Sequence, residues 1–463
     1  MKLRIENFGP ITNAELECGK LTLICGKNNT GKTYLTYTMY ALLHIIKNEM
    51  SIKLPQKDIN TLVDSAYLVI NLDDYVQKYI QAVQECKETL QQRLPTVFAK
   101  YPDKCKYVVA DIILSQSEVL QQIHNGNKES SIVMQVSSNC KLIMMRNENS
   151  SRIKITMQNT GENLPYLDAL QYSLQRLVVQ AFNSGTDSLI FPKPFIITCE
   201  RTGIAIFSND IAMAAMYKSS SSSSSSVTPY DLYRGTNIWD FDNRINGYQL
   251  SVEMDLRFVL DLRKVVNKKS YIAQEYSDIL DLFEEIAGGK YIFDERTNQV
   301  LFIPKGSKEK LAMHEASSTV RSLMEMYFYL NHLSAPQQML IFDEPEQNLH
   351  PENQRKLARL LARLVNLGIS VLVTTHSDYI IKEFNTLLML NYDDSRMQQL
   401  RGKYEYSEKE LLKAEQVRVY CLENGMTIEK TVSQDVGVAV DSFDESIRLM
   451  GIIQRDILYG GRK

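Results

Sequence analysis

Nothing in this 463-residue chain approaches the about 18 consecutive apolar residues that a membrane-spanning helix needs. The longest greasy stretch, Tyr40-Ala41-Leu42-Leu43-His44-Ile45-Ile46, stops far short of that length. The opening residues, Met1–Leu16, hold neither an apolar h-region nor a small-residue cleavage site, so a secretory signal is not expected there. An excess of one charge is missing too. The 52 basic residues stand against 55 acidic ones, a net charge of −3 that advertises no global attraction to nucleic acid. The seven cysteines (Cys18, Cys25, Cys86, Cys105, Cys140, Cys199, Cys421) are odd in number, scattered and never in CxxC spacing, which speaks against a disulfide framework or a zinc site. A cytoplasmic chain with reduced thiols is the expectation. At 44% hydrophobic content, disorder is excluded as the general state. A length prior of roughly 150 residues per domain suggests about three units, or one large domain with an insertion.

Patterning divides the chain into segments 1–56, 57–287 and 288–463. The first contains short alternating strands and then Leu21-Thr22-Leu23-Ile24-Cys25, an apolar run halted by Gly26, as in a fully buried strand. A helix is predicted over Thr33–Ile46. In the middle segment, helical period appears over Lys57–Leu72, Tyr75–Leu94, Ile112–Ile123, Leu167–Ser184, Gln249–Val265 and Tyr271–Ile286. Ser131–Met157 instead alternates between Ser/Asn-rich breaks and suggests a small antiparallel meander. Phe195–Cys199 suits a buried strand, and Ser219–Ser226, eight serines in a row, a mobile loop. The last segment opens β-like from Gly288 to Ile303 and continues with a helix over Ser318–Leu330. Then come a strand at Met339–Phe342, a helix at Pro351–Leu367 and a strand at Ile369–Thr374. It closes with a strand at Val417–Leu422, a return through Asn424-Gly425 and a helix near Asp441–Leu458.

Three constellations carry chemistry. Gly26-Lys27-Asn28-Asn29-Thr30-Gly31-Lys32-Thr33 fits GxxxxGK[ST] and lies between a buried strand and a helix, the context that gives the motif meaning. Such a loop offers backbone N–H groups and a helix N-terminus to phosphates. Lys32 adds a point charge, and Thr33 a hydroxyl for Mg²⁺. Met339–Pro345 is an apolar strand ending in Asp343 and Glu344, suited respectively to hold Mg²⁺ and to orient or deprotonate an attacking water. Val371–Ser377 is a second apolar strand, ending in His376 within expected reach of a γ-phosphate. Ser317 and Ser318 open a helix about 20 residues before the acidic strand; alone they would be an ordinary N-cap.

In this order the motifs resemble ABC-type ATPases of the SMC/RecF/OLD group. Asn7-Phe8-Gly9-Pro10-Ile11 and the Asn-Asn-Thr phosphate loop carry the likeness at one end. Asp343-Glu344-Pro345-Glu346-Gln347-Asn348-Leu349-His350-Pro351 and Thr374-Thr375-His376-Ser377 carry it at the other, with Cys199-Glu200-Arg201-Thr202-Gly203 similar to the group's PAER[ST]G string. The resemblance implies an α/β fold: an ABC-type P-loop head with a mixed or parallel sheet flanked by helices, interrupted by a helical insertion that bears a small β-meander. It implies ATP and Mg²⁺ as ligands, with Gly26, Asn28, Asn29, Thr30, Gly31, Lys32 and Thr33 on the nucleotide. Asp343 would join Thr33 at the metal, and Glu344, His376 and Lys32 would serve hydrolysis. It also implies head-to-head dimers or higher oligomers in which Ser317 and Ser318 act across the interface and Asn348 lies on a connecting loop. The group's transporter members carry LSGGQ where this chain has Thr319 and no glycine.

No nuclease constellation follows Thr375, since Asp441, Asp444 and Glu445 fall on an expected solvated helix. The resemblance to stand-alone heads of two-gene anti-phage systems such as Septu and PARIS therefore implies a sensor or scaffold subunit. Its effector, a nuclease or toxin, would be separately encoded, and its trigger could be DNA or a phage protein, with no membrane involved. The alternative is a RecF-like DNA-repair ATPase, for which the dispersed Lys193, Arg201, Lys218, Arg244, Arg263, Lys264 and Lys268 would have to form a basic stripe.

Overall fold

The structure is a computed structural model. It describes residues 2–125, 128–161, 165–185, 190–220, 248–438, 450 and 452–455. Two compact units emerge, one of residues 1–8 and 38–194, the other of residues 9–37 and 195–463. Both are α/β. Of the insertion expected over 57–287, which was to contain a head strand near 195–203, the described residues from Phe195 onward group with the second unit.

In the first unit, β1 (Lys2–Phe8) pairs antiparallel with β5 (Val109–Ile113), Lys2 facing Ile113 and Glu6 facing Val109. A four-stranded antiparallel sheet runs in the order β4 (Tyr67–Asn71), β8 (Arg152–Asn159), β7 (Cys140–Arg146), β6 (Ser130–Gln135). The expected meander is thus present with a fourth strand. That strand corrects the expectation of one helix over Lys57–Leu72. The helix α2 (Gln56–Ser65) ends where Ala66 turns left-handed, and Leu68 and Ile70 then bury one face of a strand instead. Ile112–Ile123 is likewise not one helix. Ile113 closes β5, and Ser115 starts α4 (Gln116–His124) with a capping box, its hydroxyl accepting from the Glu118 N–H while the Glu118 carboxylate accepts from the Ser115 N–H. Helices α3 (Val76–Val97) and α5 (Leu167–Phe182) follow their expected ranges closely.

The second unit is built on parallel strands. β15 (Val417–Glu423), β3 (Leu21–Gly26), β14 (Ser370–Thr375) and β13 (Gln338–Asp343) lie side by side in that order. β16 (Met426–Lys430) returns antiparallel along β15 through Asn424-Gly425, as expected. β2 (Ile11–Glu17) flanks β16, and β9 (Lys193–Ile197) flanks β13. Every residue of β3 is buried because both faces are covered. Around these strands are α6 (Arg201–Ser220), α7 (Leu250–Leu260), α8 (Leu262–Val265), α9 (Tyr271–Glu275) and α10 (Ser277–Ala287). They are followed by α11 (Ser318–His332), α12 (Pro351–Asn366) and α13 (Asp378–Met389). Short antiparallel strands β10 (Gly289–Asp294) and β11 (Gln299–Pro304) pair at the side. Leu340, Phe342, Val371, Val373, Leu21 and Leu23 meet Leu357, Leu360, Leu361 and Phe384 of the helices in one apolar core. Each such side chain contributes about 1.5–3 kcal/mol by leaving water. Of the serine run, Ser219 and Ser220 close α6; Ser221–Ser226, like most of the helix expected near Asp441–Leu458, lie outside the described residues. Among the described residues, no helix is long and apolar enough to cross a membrane.

One buried charge organises the first unit. Arg146 is fully buried, and its guanidinium donates to the carbonyls of Ser150 (2.7 Å) and Ser184 (2.8 Å) and to that of Ile123. Arg146→Met keeps the stem but strands those carbonyls. It should cost about 3 kcal/mol, by the penalty for unmade buried hydrogen bonds, read as a lower urea midpoint with unchanged slope.

Candidate functional site

The carboxyl ends of β3, β14 and β13 are level. Thr375 stands opposite Cys25, Thr374 opposite Ile24, and Asp343 opposite Thr374. Everything that leaves these ends emerges at one edge. From β3 comes the loop Gly26–Gly31 and then α1 (Lys32–Glu49). Gly26 has φ 144°, and a Cβ there would sit 2.8 Å from the Leu422 carbonyl oxygen; at Gly31, φ 107°, it would strike Ile11 at 2.6 Å. Both glycines are therefore needed for the turn itself. Lys27, Asn28 and Asn29 stay exposed, with Asn29 left-handed at φ 62°. Thr30 folds its hydroxyl onto the Lys27 carbonyl at 2.9 Å. Lys32 is buried, and its ammonium donates to the carbonyls of Gly26 (3.1 Å) and Lys27 (2.9 Å), so it lies inside the loop. Burial lowers its pKa, opposed by the charges of Glu344 and Asp343.

β14 lies between β3 and β13, so the acidic strand is not the immediate neighbour of the Gly26–Gly31 loop. Thr374 bridges the gap. Its hydroxyl donates to one oxygen of Asp343 and accepts from the Glu344 N–H at 3.0 Å. The other Asp343 oxygen, Oδ2, is buried without a hydrogen-bond partner, and burial pushes this carboxyl above its ordinary range. An orphaned acidic oxygen near a lysine-bearing loop fits a cation, and the half-buried Thr33 at the start of α1 is the hydroxyl the sequence pairs with it.

Glu344 has the left-handed φ of 48° and turns its carboxylate to His376 and Gln347. Oε1 lies 3.2 Å from His376 Nε2, and Oε2 accepts from Gln347 Nε2 at 2.9 Å. The bond from His376 is the main reason the carboxyl is held down at about 2, with Gln347 and the charge of Lys32 adding to it. Such a group is ionised at any physiological pH. His376 is held in turn by Glu346, which accepts its backbone N–H at 2.6 Å and the Thr375 hydroxyl at 2.9 Å.

Lys32, Asp343, Glu344 and His376 are thus brought together as the spacing suggested. Ser317 and Ser318 stand at the start of α11, and Asn348 on the loop after β13. Ser317 caps α11 by accepting the Val320 N–H at 3.3 Å, and Ser318 is half-buried. Thr319, in the place of a signature glycine, donates to the carbonyl of the exposed Asn348 at 2.6 Å. Thr374, Glu346, Gln347 and Arg201 lie inside the strings that carry the resemblance, but the sequence assigns none of them a role at this site.

Residues 1–381 match the family model described as an AAA ATPase domain. The chain belongs to this family. Among solved structures, it is similar to an SMC head bound to the C-winged helix domain of ScpA, with 12% identity over 93% of this chain and 97% of that one, at a TM-score of 0.33. A Pyrococcus furiosus Smc head with an extended coiled coil, bound to the C-terminal domain of ScpA, gives 12% identity over 98% of both chains and a TM-score of 0.33. The Thermotoga maritima SMC head domain gives 9% identity over 93% of this chain and 98% of that one, at 0.28. No curated protein sequence matches. The expectation of an ATPase domain stands with the family match, and the expected α/β architecture is the one observed.

The hydrogen bond at Glu344 has a titration signature. The ordinary carboxyl value of 4.5 falls to about 2 in the fold, so stability from this group is complete above about pH 4.5 and lost as pH falls towards 2. In the His376→Ala variant the Glu344 midpoint should rise towards the ordinary value, as followed by carboxyl-carbon NMR.

Proposed function

We propose that this ATPase-domain protein binds ATP at the Gly26–Thr33 loop, hydrolyses it with Glu344, and uses the cycle to control a separately encoded effector. The level grouping of Lys32, Asp343, Glu344 and His376 at one sheet edge carries the reading. In it, Gly26, Asn28, Asn29, Thr30 and Gly31 shape the phosphate cradle. The N-terminus of α1 and the Lys32 ammonium face the triphosphate. Lys32 would exchange its two loop carbonyls for phosphate oxygens, a gain because charge-assisted bonds to anions are stronger. Thr33 and Asp343 would hold Mg²⁺, which when bound neutralises phosphate charge.

Glu344, with its carboxyl held at about 2, is a poor proton acceptor but an ionised oxygen fixed in place by His376 and Gln347. It suits aligning a water more than deprotonating it outright. His376, 3.2 Å away, keeps that carboxylate oriented and would itself bond the γ-phosphate. Ser317, Ser318 and Asn348 would complete the site of a second head, which makes a dimer or higher oligomer the working form. The role in anti-phage defence, with a nuclease or toxin as effector, rests on the resemblance of the motif set and on the lack of a second catalytic constellation in the sequence.

Lys32→Ala should abolish measurable nucleotide binding in a fluorescent-ATP titration; wild-type affinity would refute the phosphate-loop assignment. Glu344→Gln should bind ATP normally while turnover drops roughly 10²-fold or more. The same variant should accumulate as an ATP-dependent dimer in light scattering, and an unchanged hydrolysis rate would place the water-orienting group elsewhere.

A further inference from the structure

Arg201 is 1% exposed, yet none of its hydrogen bonds goes to a carboxylate. Nε donates to the carbonyl of Ser322 at 3.0 Å. Nη1 donates to those of Thr198 (2.9 Å) and Asp343 (2.8 Å), and Nη2 to that of Glu344 (2.7 Å). The guanidinium plane lies over the Phe342 ring, 5.1 Å from its centroid. One side chain therefore ties the end of β9, the first turns of α11 and the end of β13 together. Only a planar fork with several fixed donors can do this; an ammonium cannot reach three elements at once.

What the fork grips is unusual. Glu344 is left-handed at φ 48°, a conformation that costs about 1 kcal/mol or more for a residue with a side chain. Its N–H is held by Thr374, through the hydroxyl at 3.0 Å and the carbonyl at 3.2 Å. Its C=O is held by Arg201. The peptide units on both sides of the Glu344 Cα are thus pinned, and with them the direction in which the carboxylate leaves the chain. Ser322, the third point of attachment, lies one turn beyond Ser317 and Ser318 on α11. Two buried acids lie close to Arg201, Glu325 and Asp255, each 1% exposed. Asp255 accepts the Thr198 N–H at 2.8 Å and its hydroxyl at 2.6 Å. The Glu325 carboxyl is driven well above the usual range by burial and by Asp255.

We infer that Arg201 is the positioning residue for Glu344: it holds the backbone of the hydrolytic carboxylate in its strained conformation and links it mechanically to the α11 turn that bears Ser317 and Ser318. This rests on the hydrolytic reading of Glu344. By the hydrogen bonds described, Arg201 touches neither the loop Gly26–Gly31 nor Lys32, and its grip on Asp343 is on the backbone carbonyl and not the carboxylate, so its loss should fall on turnover more than on nucleotide affinity.

The test is steady-state ATP hydrolysis and equilibrium binding of a fluorescent ATP analogue, on the full chain. Arg201→Lys should lower kcat by roughly 10²-fold, the loss expected of a misplacement of about 1 Å, with KM and nucleotide affinity within about threefold of wild type. In the Glu344→Gln background the same change should reduce turnover no further, since the group it positions is already gone. Should Arg201→Lys fail to fold, Arg201→Met with Asp255→Asn removes the buried cation and anion together, and the same split between kcat and KM is expected. Unchanged kcat in either soluble variant, or kcat and affinity falling together, overturns the assignment of Arg201. Normal turnover in Glu344→Gln alone would instead overturn the reading of Glu344 on which it rests.

Discussion

Asp343 stands opposite Thr374, Thr374 opposite Ile24, and Thr375 opposite Cys25. Parallel strands slipped by one residue would turn every side chain to the other face. The Thr374 hydroxyl would then meet the core instead of Asp343 and the Glu344 N–H. The registration is enforced from below, where Leu340, Phe342, Val371, Val373, Leu21 and Leu23 must all enter the same apolar layer. Hydrophobic packing along the strands thus decides where four polar groups meet at their ends. The phosphate loop, the acidic pair and the histidine lie far apart in sequence, and the sheet supplies their common level.

Electrostatics at that edge follow from how each group is buried. Asp343 keeps one oxygen without a partner and is pushed towards protonation. Glu344, one residue later, has partners on both oxygens and is pulled the other way. Two adjacent acids are thereby driven apart in acidity. Lys32 lies between these tendencies, lowered by burial and raised by both acids. The strained φ of Glu344 is tolerated because Thr374 and Arg201 satisfy its backbone from opposite sides.

Much of this was legible in the residues. The run Leu21–Cys25 ending at Gly26, the acids after Phe342 and the histidine after Thr375 mark strand ends, because an apolar stretch that stops at a polar or glycine residue must leave the core there. The helix start at Pro351 was equally local. Two expectations failed for a common reason. Leu68 and Ile70 sit at spacings that suit a helix or a strand, and only the partner β8 settles them as strand. Ile112 likewise is claimed by β1, opposite Leu3, and the chain restarts as helix only after the Ser115 cap. Periodicity cannot distinguish these cases when the strand partner lies more than about 80 residues away in the chain.

The sequence by itself determined the chemistry available: a phosphate loop before a helix, two acids and a histidine at strand ends, and serines at a helix start. Short-range rules suffice there, because each motif's meaning depends on residues within a few positions of it. Tertiary structure alone decided who holds these groups. That Thr374 should serve both acids, that Gln347 and His376 should share Glu344, and that Arg201 should grip the carbonyls of Thr198, Ser322, Asp343 and Glu344 are matters of backbone atoms. Every residue presents the same carbonyl and N–H, so no spacing of side-chain types can announce which of them a buried guanidinium will find.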